Sequence, residues 1–270
     1  MLVTRDAGIA RAALAAGVDR IFVDLELRGK RERQRGRRTV ISGHTIGDVR
    51  SLRAAIGAGE LLARIDPPSD TTEREVDAVV EAGADVVMLP YFTGTDDVER
   101  FVDAVRGRAR TCLLLETPAA LARLDAILAV DGIDEMHVGL NDLHLGMGVG
   151  FMYELLAGGV LDHVSSRVAA SGRPIRFGFG GGAPIDARHP VAPADVLREH
   201  LRLGSRMIIL SKTFTGDVSS LDELNARMDL ALEVRRIRDV IAAARRRSAT
   251  EVEADRVRIH GDIWRAAAAL

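Results

Sequence analysis

Lysine is almost missing from this chain. Only Lys30 and Lys212 occur among 37 basic residues, so chemistry that needs a lysine amine, such as Schiff-base formation, has few candidates. Cysteine is rarer still: the lone Cys112 excludes a disulfide framework and fits a reducing cytoplasm. A net charge of −2 leaves no basic footprint for nucleic acid. No apolar run approaches a membrane span, and Met1 leads almost directly to Arg5, Asp6 and an Ala-rich amphipathic segment, so no signal-peptide core is expected. Internal repeats and low-complexity linkers are absent as well. These absences point to a cytoplasmic chain whose partners are neither nucleic acids nor membranes.

What is present is a core-forming pattern. The hydrophobic fraction is 47%, and 270 residues fit one large domain. Short apolar bursts at Leu2–Thr4, Arg20–Leu25, Leu61–Ile65, Asp85–Pro90, Thr111–Glu116, Glu135–Gly139, Pro174–Gly178 and Met207–Ser211 read as parallel strands buried on both faces. Helical periodicity follows each one, at Ala7–Ala16, Ile46–Ile56, Thr72–Ala82, Asp96–Arg106, Pro118–Val130, Phe151–Ala170, Pro193–Leu203 and Leu221–Arg247. The steps Ala16-Gly17, Ala82-Gly83 and Leu203-Gly204 supply helix-closing glycines. Eight alternations predict an α/β fold, a (β/α)8 TIM barrel over residues 1–248, with a helical extension over 249–270. A doubly wound open sheet is the runner-up, but no phosphate-binding glycine fingerprint follows the first strand.

Two acids stand out. Leu113, Leu114 and Leu115 run into Glu116, and the run from Met136 to Leu140 leads through Asn141 to Asp142, with an amphipathic segment between them. Each acid falls just past the C-terminal end of a strand, where barrel active sites lie. Two carboxylates converging there suit a hard divalent cation, Mg²⁺ or Mn²⁺ with Co²⁺ as a third option. The bland alternative is that Glu116 caps the helix starting at Pro118 and Asp142 caps a turn. Matching positions favour the metal pair.

Two segments break the rhythm. The arginine-rich stretch between Leu25 and Ile46 is too long for an ordinary βα connection and reads as a surface insertion or part of the site. The tail from Thr250 to Leu270 reads as a further helix carrying Val252, Val257, Ile259, Ile263 and Trp264. A barrel already ringed by eight helices offers it no slot, so it is expected to pack on another subunit.

The motifs AGVDRIFVDLE (Ala16–Glu26), LLARIDPP (Leu61–Pro68), EAGADVVMLP (Glu81–Pro90), LLLETPAAL (Leu113–Leu121) and VDGIDEMHVGLNDLHLGMG (Val130–Gly148), in this order and spacing, resemble the HpcH/HpaI aldolase and citrate lyase family. The likeness covers Ala15 to about Gly148 well and runs more loosely to Thr213. It implies a pyruvate-binding TIM barrel with its metal on Glu116 and Asp142. It also implies an enolate-stabilising Arg64, and backbone amides of Gly139, Leu140, Asn141 and Asp142 that bind the substrate carboxylate. Asp24 and Glu26 match a D-x-E pair that holds water on the metal or orients Arg64. The family's general base directly follows that pair, but Leu27 stands there. The next histidine is His44, which the resemblance implies is still the base, displaced by the arginine-rich insertion; the alternative is an exposed, idle histidine near a helix start. Glu81 falls where the family has the acid that orients this histidine. The resemblance further implies a homo-oligomer, a hexamer or other assembly of dimers, with exchanged C-terminal helices.

The implied activity is a metal-dependent class II aldolase that makes or cleaves a 4-hydroxy-2-oxo acid, with a 2-oxo acid and an aldehyde as partners. The Leu27–Arg38 loop would suit a polar aldehyde. An acyl-CoA lyase of the citryl-CoA or malyl-CoA type, a Schiff-base aldolase using Lys212, and a non-catalytic barrel stand as alternatives. Among weaker features, the glycines at Gly178–Gly182 are read as a loop able to hold an anion, and Lys212 as an anion contact. His137 is read as a core or rim residue, His144 as a substrate contact and His189 as loop surface.

Overall fold

Eight short strands close on one another in sequence order. The computed structural model describes residues 1–29 and 43–270. The first half runs β1 (Leu2–Val3), α1 (Ala7–Ala15), β2 (Arg20–Asp24), α2 (Ile46–Ile56), β3 (Glu60–Arg64), α3 (Thr72–Glu81), β4 (Val86–Pro90), α4 (Thr95–Val105), β5 (Arg110–Leu115), α5 (Pro118–Ala122), α6 (Leu124–Ala129) and β6 (Glu135–Val138). The second runs α7 (Leu140–Gly146), α8 (Glu154–Ala157), α9 (Val160–Ala170), β7 (Arg176–Gly182), α10 (Pro193–Arg202), β8 (Met207–Leu210), α11 (Lys212–Thr215), α12 (Leu221–Arg227), α13 (Leu230–Ala244) and α14 (Ala249–Ala268). All neighbours pair in parallel, and Leu2 against Leu210 joins β1 to β8. The expected TIM barrel and its C-terminal helix are therefore present.

Strand alternation sorts the core into two parts. Ile21, Val23, Leu61, Ala63, Leu113, Leu115, Met136 and Val138 face the helices. Phe22, Leu62, Met88, Cys112, Leu114 and Met207 fill the lumen. At the N-terminal end, Arg20 makes a bidentate pair with Glu135 (2.6 and 2.7 Å) and also pairs with Glu60. Arg110 and Arg176 close round the same acids. Burial by itself would raise the Glu135 carboxyl, but Arg20, Arg176 and Arg110 hold it below the ordinary value. The barrel floor is thus closed by compensated charge.

Several boundaries differ from the sequence reading. Three predicted helices are each two: Arg123 leaves helical geometry (φ −107°, ψ 15°) between α5 and α6, Gly159 turns the chain (φ 80°) between α8 and α9, and Asp229 starts α13 by capping Leu232. The glycines Gly178–Gly182 are not a loop after β7 but its second half, carrying a bulge between Gly178 and Gly181. Gly178 has no room for a side chain: a Cβ would lie 2.6 Å from Met207 Cβ.

The largest departure is α14. Ile259 and Ile263 are fully buried on this chain's own barrel, against α8 and α10. Arg258 to Asp195 and Arg247 to Asp255 add ion pairs, each reaching 2.7–2.8 Å. The expectation that no slot exists is corrected: α14 packs on α8 and α10 of its own barrel. No helix among the described residues is long and apolar enough to cross a membrane.

Candidate active site

The C-terminal mouth gathers the inward-facing ends of β2, β3, β5 and β6. Arg64, last in β3, meets Asp24, last in β2, through two hydrogen bonds, Nε to Oδ1 and Nη2 to Oδ2, both 2.8 Å. Its Nη2 also lies 3.2 Å from Glu26 Oε2, and its guanidinium sits 5.6 Å from the centroid of the Phe22 ring below. Burial opposes the charge on Arg64, yet Asp24, Glu26 and Glu116 hold it above the usual arginine value. Of the two roles inferred for Asp24 and Glu26, orienting Arg64 is the one the geometry displays.

Glu116 follows β5 and is buried. It is not the cap of α5: Thr117 Oγ1 accepts the Ala120 N–H at 3.1 Å, which removes that alternative. Gly139 carries β6 past it so closely that a Cβ there would lie 2.6 Å from Glu116 Oε2. Asp142 comes three residues later, half-buried in the first turn of α7. Gly139 therefore matters for its missing side chain. Its amide donates to Leu115 O at 2.9 Å in the sheet, which corrects its place among the carboxylate-binding amides. Leu140 is buried and Asn141 exposed at the start of α7, where the first amides have no carbonyl of their own helix to meet.

A divalent cation of the magnesium type keeps water and substrate ligands and takes only one or two protein carboxylates, a donor set that Glu116 and Asp142 would supply. Among the described residues no group of three or more His, Cys, Asp or Glu gathers for a metal, so a fully protein-ligated centre does not fit.

His44 is brought to the site from the far end of the long connection. Its Nδ1 accepts the backbone N–H of Asp24 at 3.0 Å, and Thr45 then opens α2 in a capping box with Asp48. Burial lowers the His44 pKa; Asp24 and Asp48 push it back up, while Arg5 and Lys212 lower it further. Residues 30–42 of the arginine-rich segment, with Lys30 and most of the expected aldehyde-facing Leu27–Arg38 loop, lie outside the described residues. The exit from β2 is tied down by Asp66 Oδ1, which accepts from Leu27 and Arg28 amides at 2.7 and 2.9 Å.

Other expectations are corrected. Glu81 does not join His44. It ends α3, which runs back toward the N-terminal face, and it is exposed there. His144 is buried, and its Nδ1 lies 3.0 Å from Leu140 O of its own helix. Lys212 holds its ammonium 2.5 Å from Asp217. His137 is a lumen residue, as expected of a core position. Sequence reasoning missed Tyr91, which follows β4 with φ 54°, a strained backbone for a non-glycine residue at the mouth. Nothing in its neighbours' sequence signals that conformation.

The fold is a TIM barrel with its candidate site at the C-terminal mouth, and the family it belongs to consists of lyase-type enzymes. The family model for HpcH/HpaI aldolase/citrate lyase matches residues 2–175, and the chain belongs to that family. No curated protein matches it. Among solved structures it resembles citrate synthase SbnG, at 16% identity, covering 91% of each chain with a TM-score of 0.59. It resembles an HpcH/HpaI aldolase from Desulfitobacterium hafniense DCB-2, also at 16% identity, covering 92% of this chain and 93% of that one with a TM-score of 0.59. A Burkholderia cenocepacia J2315 protein of the family is 18% identical over 90% of this chain and 93% of that one, with a TM-score of 0.56. At these identities the structural likeness establishes the fold.

Proposed function

We propose that the chain is a divalent-metal-dependent aldolase that cleaves or forms a 4-hydroxy-2-oxo acid. The observation that carries this is Arg64, locked by Asp24 and Glu26 beside buried Glu116 at the open end of the barrel. Glu116 and Asp142 would hold Mg²⁺ or Mn²⁺, and the ion, when bound, supplies Lewis-acid polarisation and a template for the 2-oxo acid.

The residues do the rest. In cleavage the 4-hydroxyl loses its proton, the C3–C4 bond breaks, and its electrons move onto the C2 oxygen, releasing an aldehyde. The enolate then takes a proton at C3 to give the free 2-oxo acid. Arg64 faces the growing negative charge with a planar donor fork already oriented, so little reorganisation is needed. Nε and Nη2 are committed to Asp24 and Glu26, whereas Nη1 has no partner among the described residues and is left for a substrate oxygen. The first amides of α7, Leu140 to Asp142, would receive the substrate carboxylate.

The test is an aldehyde screen with pyruvate and Mg²⁺ or Mn²⁺, following pyruvate loss, run on wild type, Glu116→Gln and Asp142→Asn. Both variants are expected to lose turnover and weaken metal binding by calorimetry, with circular dichroism unchanged. Near-normal activity of either variant without added metal would overturn the metal assignment. Turnover of acyl-CoA thioesters in place of free 2-oxo acids would move the chain to the acyl-CoA lyases.

A further inference from the structure

The hydrogen bond between Asp24 and His44 fixes more than a position. In a parallel ladder successive amides point to opposite neighbours. The Leu25 amide reaches Arg64 O on β3 at 3.0 Å, so the Asp24 amide points toward β1. But β1 ends at Val3, which pairs with Phe22, and no β1 strand residue lies opposite Asp24. His44 Nδ1 takes the place of the missing ladder carbonyl, accepting that N–H at 3.0 Å.

A backbone N–H has only one role. Facing it, Nδ1 must present its lone pair, so the neutral ring carries its proton on Nε2. A ring in that state can take up a second proton only at Nδ1, which would set two N–H groups against each other and strip the Asp24 amide of its acceptor. A buried amide left in that way loses its hydrogen bond with nothing in return, which disfavours that protonation. Among the described residues Nε2 has no hydrogen-bond partner. His44 also lies within charge range of Arg5 and Lys212, past the ends of β1 and β8, which places it at the mouth.

We propose that His44 works as a neutral hydrogen-bond donor through Nε2–H and not as the proton acceptor. The role rests on the aldolase reading above. In cleavage the 4-hydroxyl proton passes to water, and Nε2–H stabilises the oxyanion left on that oxygen as C3–C4 breaks. In the synthetic direction the C3 proton of the 2-oxo acid passes to water, the enolate carbon attacks the aldehyde carbonyl that Nε2–H polarises, and the new alkoxide takes its proton from water. No proton leaves the ring in either direction, so the imidazole starts and ends neutral. A neutral imidazole held in one tautomer is an effective electrophile of this kind.

The tautomer can be read without any substrate. In ¹⁵N-histidine-labelled full-length protein, with His44 assigned by its loss in His44→Gln, proton-coupled spectra at neutral pH should show Nδ1 bare and Nε2 protonated. A protonated Nδ1, in either the neutral or the doubly protonated ring, overturns the proposal whether or not the chain proves to be an aldolase. Kinetics supply the second arm, in the aldehyde–pyruvate reaction. Glutamine places an amide N–H where Nε2 stood but has no basicity, whereas asparagine reaches only the Nδ1 position. His44→Gln is expected to lose no more than about tenfold in kcat and His44→Asn about 10²–10³-fold, the range for removing one oxyanion donor. Equal inactivity of the two, with a wild-type acid limb in kcat that vanishes in both, would restore a general base. Absence of any aldol turnover, with the tautomer as stated, would sink the aldolase reading and leave the ring assignment standing.

Discussion

At the scale of single residues, Asp24 is the hinge of the site. Its carboxylate fixes Arg64 through two parallel hydrogen bonds, and its amide fixes the ring of His44. One short strand end therefore sets two functional groups that sequence places 20 and 40 residues away. The bidentate geometry belongs to a guanidinium and not to cations in general. Arg64→Lys keeps the charge but replaces the fork with a point donor on a flexible stem. On the proposed aldolase reaction the oxygen that Arg64 would face gains charge only as the C–C bond breaks, so the loss should fall on kcat, by about 10²-fold or more. Steady-state kinetics decide between roles: an unchanged kcat with a raised KM would make Arg64 a substrate anchor and no more.

At the scale of elements, β7 shows how backbone space is turned into burial of polar rings. Its glycines let His137 fill the lumen against Gly178, with Nε2 lying 3.0 Å from Gly180 O. On the outer face Phe179 stacks on His200 with ring centroids 3.8 Å apart, and His200 Nδ1 lies 2.7 Å from Ser205 Oγ. Burial pushes His137 down to about 4; burial, then the charge of His137, pushes His200 down to about 3. The unfolded chain protonates these rings near their ordinary value of 6.5 and the folded one does not. Their contribution is therefore intact above pH 6.5 and is lost as the pH falls toward 3–4. Each histidine should remove about 1.4 kcal/mol of stability per pH unit in that window. Urea melts across it should show a slope that His200→Gln reduces by about one histidine's share. An identical slope in the variant would mean that His200 is protonated in the native state.

At the scale of the whole molecule, what was legible follows from where each signal resides. Strands buried on both faces announce themselves as apolar bursts, and Glu116 and Asp142 could be paired because both follow such bursts. The barrel floor was not legible: Arg20 and Glu135 are 115 residues apart and look like two unrelated surface charges until the strands close. Tyr91 was invisible for a different reason, since its strain lies in φ and not in its type. The terminal helix misled because it is apolar on two sides. Ile259 and Ile263 point inward and are fully buried, while Val257 and Trp264, seven residues apart and so on one face, are 59% and 48% exposed. Read together they seemed to need a home off the barrel; read apart, one pair has its home and the other does not. The expected homo-oligomer then rests on the outer pair alone, and two changes separate the faces. Deleting 249–270 removes both buried isoleucines, worth roughly 1.5–3 kcal/mol each, and should lower Tm whatever the assembly. Trp264→Glu leaves the inner face untouched, so it should preserve the fold by circular dichroism yet lower the particle mass by light scattering. A full-length chain that scatters as a monomer, or a Trp264→Glu protein of unchanged mass, would remove the outer face of α14 from any interface.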